Sequence, residues 1–353
     1  MPRKSPLVMV LLAFVVVTSS CAPAAAPTPT AAPSPTPVPP PTPLPKATLK
    51  VIFSPDIALG PLFIAQEEGY FAEQGIEIEW VTLGSVTEAL PLLAQGSLDV
   101  GGGTPAAGFF NAIAIGMNLK VVGGAGNIPG PEGCSPFMFV LRKALADSGE
   151  VKTIADLKGR KVALNTKGAT PHYHLGILLE KAGLTLNDIE LVILPFPDSV
   201  AALKQGAVDA AMLPEPLLSQ ALAQSLAVPL VKLNEQFPGY TMLFEIFGPN
   251  LLNKNPDLGK RFMVAVLKGM RQFRQGKTDR NAEIISQHTR MDKAIIKQAC
   301  WVEVDPNGAS SQNLFMDTQD WFIKNGLQDQ RVTAEQLFDN RFIEYAVNVV
   351  GKK

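Results

Sequence analysis

Two short stretches of this chain set a threonine and a proline directly after glycine: Gly101-Gly-Gly-Thr-Pro105 and Gly168-Ala-Thr-Pro-His172. Thr-Pro in this setting reads as a helix N-cap followed by proline at the first helical position. A helix start offers unpaired backbone N–H groups and a partial positive charge, and glycine lets a ligand approach the backbone. Two such starts facing one cleft would suit a carboxylate, a sulfonate or another oxyanion; taken singly, each is equally a plain cap. The surrounding loops hold almost no fixed cation beyond Lys167, and no arginine stands ready for a bidentate grip. Asp56 and Glu215 are acids that could meet an amine, so anionic, zwitterionic and neutral solutes all stay open. Phe109, Phe110, Tyr173 and Phe196 could wall a pocket or simply fill a core. His172 and His174 lie two apart near a helix start, so their side chains diverge rather than forming a metal pair; His172 reads as a pocket candidate and His174 as structural. There is no serine elbow, zinc-spaced cluster or phosphate loop, so neither a catalytic residue nor a cofactor or metal is expected.

The elements that must position these residues alternate. Lys50–Phe53 reads as a strand and Pro61–Ala72 as a helix. Ile76–Leu83 is a strand, Ser85–Gln95 a helix opened by the capping-box pattern Ser85-x-x-Glu88, and Asp99–Gly101 starts a third strand. The same order returns downstream: strand 161–165, helix 171–182, strand 189–196, helix 199–205, strand 209–213. Both copies end their second helix at a glycine, Gly96 or Gly206, and launch the next strand from an Asp-bearing turn. Repeated β-α-β-α-β units imply two similar α/β halves, each with a mainly parallel sheet flanked by helices. The segment 123–133, rich in glycine and proline, and the strand-like segments 137–141 and 240–247 read as crossings between the halves. The C-terminal part is helical: Asn255-Pro256 opens a helix with Phe262, Val266, Gly269 and Phe273 on one face, followed by helices over 312–324 and 333–347. It is expected to pack back on the first half.

Ligands of open parallel sheets bind beyond the carboxyl ends of the strands. That rule selects loops 53–60, 83–88 and 102–106 in one half and 165–172, 195–199 and 213–217 in the other. The ligand-binding candidates there are Ser54, Asp56, Gly84, Ser85, Gly103, Thr104, Gly168, Thr170, His172 and Glu215.

The chain opens with a basic Pro2-Arg-Lys4, an apolar run Leu7–Val17 too short to cross a bilayer, and the small residues Thr18-Ser-Ser20 before Cys21. That reads as an export signal over residues 1–20. It resembles a bacterial lipobox, with Thr18 where leucine is usual, and the resemblance implies lipidation of Cys21. Residues 21–46 are dominated by Pro, Ala, Thr and Ser, a composition that favours extended polyproline and reads as a linker holding a folded body off a membrane. From Ala47 onward the length suits two lobes, expected at 47–139 with a return at 240–353, and at 140–239. The net charge of −1 gives no sign of a nucleic-acid partner, and a monomer is expected. Export permits a Cys134–Cys300 disulfide without establishing one.

At Pro61-Leu-Phe-Ile-Ala-Gln-Glu-Glu-Gly-Tyr-Phe71, followed by Gln74-Gly-Ile-Glu-Ile78, the chain resembles the nitrate, sulfonate, taurine and thiamine-precursor substrate-binding proteins of ABC transporters. Ile154-Ala-Asp-Leu-Lys-Gly-Arg-Lys-Val162, Gln205-Gly-Ala-Val-Asp209, Gly168-Ala-Thr-Pro-His172 and Glu215-Pro216 extend the likeness over roughly 48–345. The resemblance implies a two-lobed periplasmic-binding-protein fold of type II, solute capture by lobe closure, and delivery to a membrane permease driven by an ATPase. It also makes Gly103, Thr104, Thr170, His172 and Glu215 the leading pocket residues. Pro214 stands where many members carry an aromatic residue. The family's thiamine-pyrimidine synthases carry cysteines at the place of Gly101–Pro105, where this chain has none, which argues against an enzyme. A ligand-sensing module for a membrane receptor is the alternative to delivery.

Overall fold

A computed structural model describes residues 13, 15–17, 44–83 and 86–353. The chain divides into a unit of residues 1–42 and a unit of 43–353. Apart from residues 13 and 15–17, the expected export signal, Cys21 and the linker up to residue 43 lie outside the described residues, as do Gly84 and Ser85.

The second unit is built on two five-stranded sheets. The strands are β1 (Ala47–Phe53), β2 (Ile76–Thr82), β3 (Val100–Gly103), β4 (Lys120–Asn127), β5 (Phe137–Arg142), β6 (Lys161–Leu164), β7 (Glu190–Ile193), β8 (Ala210–Pro214), β9 (Ala227–Lys232) and β10 (Thr241–Phe247). Their orders are β2-β1-β3-β10-β4 and β7-β6-β8-β5-β9. In each sheet the first three strands are parallel, and one strand that has crossed over, β10 or β5, runs antiparallel to both its neighbours. The two sheets therefore share one α/β topology, and the carboxyl ends of their parallel strands carry the candidate loops. Strand β5 pairs along its whole length with β8 and β9. The first crossing is thus residues 128–136, and the expected boundary at 139/140 falls inside a strand of the second sheet. The return crossing, 237–240, bonds to the first: Ile128 N–H donates to the Tyr240 carbonyl (2.8 Å) and Gly239 N–H to that of Ile128 (3.0 Å).

Local chemistry explains most of the elements, and packing overrides it in a few places. The helix expected over 61–72 is broken by Gly69 in the left-handed region (φ 76°) into Gly60–Glu67 and Tyr70–Glu73. The helix expected over 333–347 opens with the Thr333/Gln336 capping box, stops after Ala334–Leu337 and restarts at Arg341–Val350. The glycine-rich start of segment 123–133 belongs to β4 rather than to a crossing. A Cβ at Gly124 would lie 2.5 Å from the Ala309 carbonyl oxygen, and Gly124 N–H donates to the Gly308 carbonyl (2.9 Å). Glycine stands in this strand because the C-terminal segment presses directly on its backbone.

The C-terminal helix Pro256–Phe273 lies against Gly60–Glu67, where a Cβ at Gly269 would collide with the Pro61 carbonyl, so the return on the first sheet follows the expected apolar face. Helix Gln312–Lys324 contacts both halves. Phe315 meets Phe110 edge-on and Phe322 packs on it at a tilt, while Trp321 packs on Tyr173 and donates to the Glu180 carboxylate (3.2 Å). Cys134, in the first crossing, is joined to Cys300 by a disulfide.

Glu245, in the middle of β10, is buried with Oε2 unpartnered, and burial pushes its carboxyl up to about 8. Because the folded state holds this proton more tightly than the unfolded chain, the associated stability is complete below pH ~4.5 and is lost as pH rises through about 8. Glu245→Gln is expected to raise the midpoint of thermal unfolding at pH 8 by roughly 2 °C or more and to change it little near pH 4.5. Equal shifts at both values, read by differential scanning fluorimetry, would contradict this.

Candidate functional site

A cleft of about 120 Å³ lies where the strand tips of the two sheets meet. The first sheet contributes Ile52 and Ser54 from the end of β1, Leu83 after β2, and Gly102, Gly103 and Thr104 from the end of β3. Leu59, Val86, Met242 and Leu243 complete that side. The second sheet contributes Phe137 from the start of β5, Asn165 and Thr166 after β6, Phe196 after β7 and Met212 from β8, with Pro171 beside them. Loops 53–60, 83–88, 102–106, 165–172 and 195–199, selected by the strand-tip rule, each supply a residue to this lining, and loop 213–217 does not.

Next to the lining residues Thr104 and Pro171, the two halves are joined by backbone bonds. Ala107 N–H donates to the Gly168 carbonyl (2.7 Å), and Thr170 N–H donates to the Pro105 carbonyl (2.9 Å). The Thr170 hydroxyl adds a second bond to the Pro105 carbonyl (3.1 Å). These bonds give the two Gly/Thr/Pro stretches a different role from the expected one. The helix after Pro105 begins only at Ala107, with Ala106 as its cap, and Thr170 is the first helical residue rather than a cap. The first N–H of each helix, that of Ala107 and that of Thr170, is spent on the other's loop, so those two do not stand open to an oxyanion.

Of the candidates, Ser54, Asp56, Gly103 and Thr104 line the cleft. Gly168, Thr170, His172 and Glu215 do not, and each has a structural partner. The Gly168 N–H donates to His172 Nδ1 (3.1 Å). His172 is buried edge-on to Trp321, and burial, aided by the Lys167 charge, pulls its imidazole down to about 4, so it stays neutral as an acceptor. Thr170 sits between Pro105 and the Tyr240 hydroxyl, which also meets the Thr318 hydroxyl. Glu215 accepts from Ser219 N–H (2.9 Å), the Ser219 hydroxyl (2.8 Å) and Cys300 N–H (3.1 Å). Burial raises its carboxyl, and those bonds together with the Lys277 charge hold it back. Of the four aromatic candidates, Phe196 borders the cleft. Phe109 and Phe110 are core, and Tyr173 packs on Phe237, Tyr240 and Trp321. His174 is fully buried with no hydrogen bond on either ring nitrogen, stacked on Phe237, and burial draws it down to about 3.

Asp56 is the one ionisable group among the described residues that line the cleft. Its Oδ1 accepts from Ala58 N–H (2.8 Å), capping the short turn Ile57–Leu59. Burial, with a further push from the Glu215 charge and an opposing pull from the Ala58 bond, raises its carboxyl to about 6. Asn165, at the tip of β6, has a buried Oδ1 with no hydrogen-bond partner. It was selected by the strand-tip rule, yet no motif singled it out. Met212, Met242, Leu243 and Phe137 carried no such signal, because strand residues that border a cleft look like core. Lys167 is exposed and is not among the lining residues. Among the described residues, no group of three or more His, Cys, Asp or Glu could hold a metal ion, and no helix is long and apolar enough to cross a membrane.

With this geometry in place, comparison with known proteins places the chain. The profile of a family described as NMT1/THI5 like matches residues 56–275. A protein of Bacillus subtilis (strain 168), named as an aliphatic sulfonates-binding protein, is 26% identical over 82% of this chain and 86% of its own length. A protein of Escherichia coli (strain K12) with the same name is 36% identical over 42% of this chain, a match that spans 43% of that protein. Among solved structures, the alkanesulfonate-binding protein SsuA from Xanthomonas axonopodis pv. citri superimposes with a TM-score of 0.67 at 23% identity, covering 83% of this chain and 99% of that one. The periplasmic nitrate-binding protein NrtA from Synechocystis PCC 6803 does so with 0.72 at 16%, covering 87% and 90%. The desulfurization enzyme DSZB shares the fold as well, with a TM-score of 0.65 at 17% identity over 87% of this chain and 100% of that one.

If Glu215 serves the structure, Glu215→Ala should cost roughly 1–3 kcal/mol in urea unfolding, because it strands the N–H groups of Ser219 and Cys300. An unchanged unfolding free energy would contradict that role.

Proposed function

The chain belongs to the NMT1/THI5-like family, and from that premise we propose that it is an extracytoplasmic solute-binding protein that captures a small organic molecule by closing two lobes and delivers it to an ABC permease driven by an ATPase. The observation that carries this reading is the cleft itself. It takes walls from the carboxyl ends of two sheets that share one topology, joined by two short crossings that bond to each other. A ligand that touches both walls favours the closed arrangement over an open one, so binding and closure are one equilibrium. The lobes are 44–127 with 241–353, and 137–236; the crossings are the pivot. The sulfonates and nitrate for which the relatives and structural neighbours are named support a solute of small size. Those curated relatives are named for binding, which supports capture without turnover even though the fold also serves a desulfurization enzyme. We further infer that Cys21 is lipidated after export, so that the monomeric binding body stands off the outer face of a membrane on the Pro/Ala/Thr-rich stalk.

Native mass spectrometry of the purified protein should reveal one small molecule bound per chain. Removing and restoring that molecule should change the radius of gyration by small-angle scattering in the sense of opening and closing. Chemical conversion of the solute by the protein, or an unchanged scattering profile, would contradict the reading. Cys21→Ala should move the protein from the membrane to the soluble fraction; retention on the membrane would contradict the anchor.

A further inference from the structure

Among the described residues, the cleft's polar side chains are the hydroxyls of Ser54, Thr104 and Thr166, the Asn165 amide and the Asp56 carboxylate, and the carboxylate is the charged group among them. Asp56 is the one ionisable group in the described lining, and one of its oxygens is committed to Ala58 N–H. Across the cleft, Asn165 presents a buried Oδ1 without a partner. A carbonyl oxygen left unpaired in an enclosed place is costly unless a ligand N–H meets it. Among the described residues that line the cleft there is no lysine or arginine. The helices that start at Val86 and Phe196 border the space and would favour negative charge. A formal anion there would nevertheless sit against the charge of Asp56, which Glu215 already repels, with no fixed cation to offset it. The remaining lining is soft and aromatic: Met212, Met242, Phe137 and Phe196. Methionine adapts to the outline of a guest, and aromatic faces attract cations.

We propose that the cleft takes an organic cation: a compact apolar body carrying one protonated nitrogen that Asp56 and Asn165 hold from opposite walls. This rests on the reading of the cleft as a solute site and reverses the ligand charge that the sulfonate- and nitrate-binding relatives would suggest. Asp56 supplies the charge-assisted bond, Asn165 the second acceptor, and the methionine and phenylalanine walls take up the hydrocarbon.

The test is calorimetric titration of the protein, freed of any co-purified solute, with three probes of one shape: benzylamine, benzyl alcohol and phenylmethanesulfonate. Benzylamine is expected to bind at least roughly tenfold more tightly than benzyl alcohol, and phenylmethanesulfonate to give no binding heat. Asp56→Asn keeps an oxygen for Ala58 N–H and should collapse the amine-over-alcohol preference by roughly 10- to 100-fold. Asn165→Ala should lower it in the same direction, and it serves as the second reading if Asp56→Asn unfolds. Absence of benzylamine binding, a sulfonate that binds as tightly as the amine, or an amine preference that survives both substitutions overturns the proposal. A bound sulfonate would overturn it while leaving solute capture intact, whereas a protein that holds no solute and never changes shape would remove the reading beneath it.

Discussion

The reciprocal bonds between Pro105–Ala107 and Gly168–Thr170 set the spacing of the two sheets, and the rest of the site follows from that spacing. Each bond satisfies a donor at a helix start that would otherwise be an orphan, and together they hold the strand tips far enough apart to leave a cleft and close enough to line it from both sides. Around them sits a buried network: His172 on Gly168 N–H, Thr170 between Pro105 and Tyr240, and Tyr240 against Thr318. Because Tyr240 ends the return crossing, the same network joins these loops to that crossing. A motif that looks like an anion-binding helix start thus links the loops of the two sheets to each other.

The alternation of strands and helices was legible from hydrophobic pattern and turn residues because those signals are local. The strand-tip rule pointed to the loops that border the cleft and picked out Ser54 and Asp56 without any motif, while Gly103 and Thr104 also stood in the Gly101–Pro105 stretch. What could not be read is long-range. Nothing near Thr170 in sequence reveals that its bonds go to Pro105, and nothing near Glu215 reveals that Cys300 donates to it. Glycines at 123, 124 and 126 are poor strand formers by propensity, yet the segment pairs with β10, and Met263, residues 308–310 and Val302 crowd its backbone so closely that glycine is what fits. The cleft-facing Met212 and Met242 were illegible for a different reason: a residue at the edge of a cavity and one in a core obey the same pattern.

Fold and ligand are separable here. Proteins named for sulfonates, for nitrate and for a desulfurization reaction share this architecture, so the chemistry is set by the few residues at the strand tips. In this chain those tips bring one carboxylate, one unpaired amide oxygen, three hydroxyls and a lining that is otherwise apolar. The acid is capped on one oxygen by its own turn, which fixes its direction.

The most direct test of the central claim is a crystal structure of the protein with the solute it retains through purification. The account predicts density for one small molecule between Asp56 and Asn165, in contact with both sheets, with the Ala107–Gly168 and Thr170–Pro105 bonds intact beneath it. Density bound elsewhere, or a molecule held by one sheet alone with the strand tips closed against each other, would contradict it.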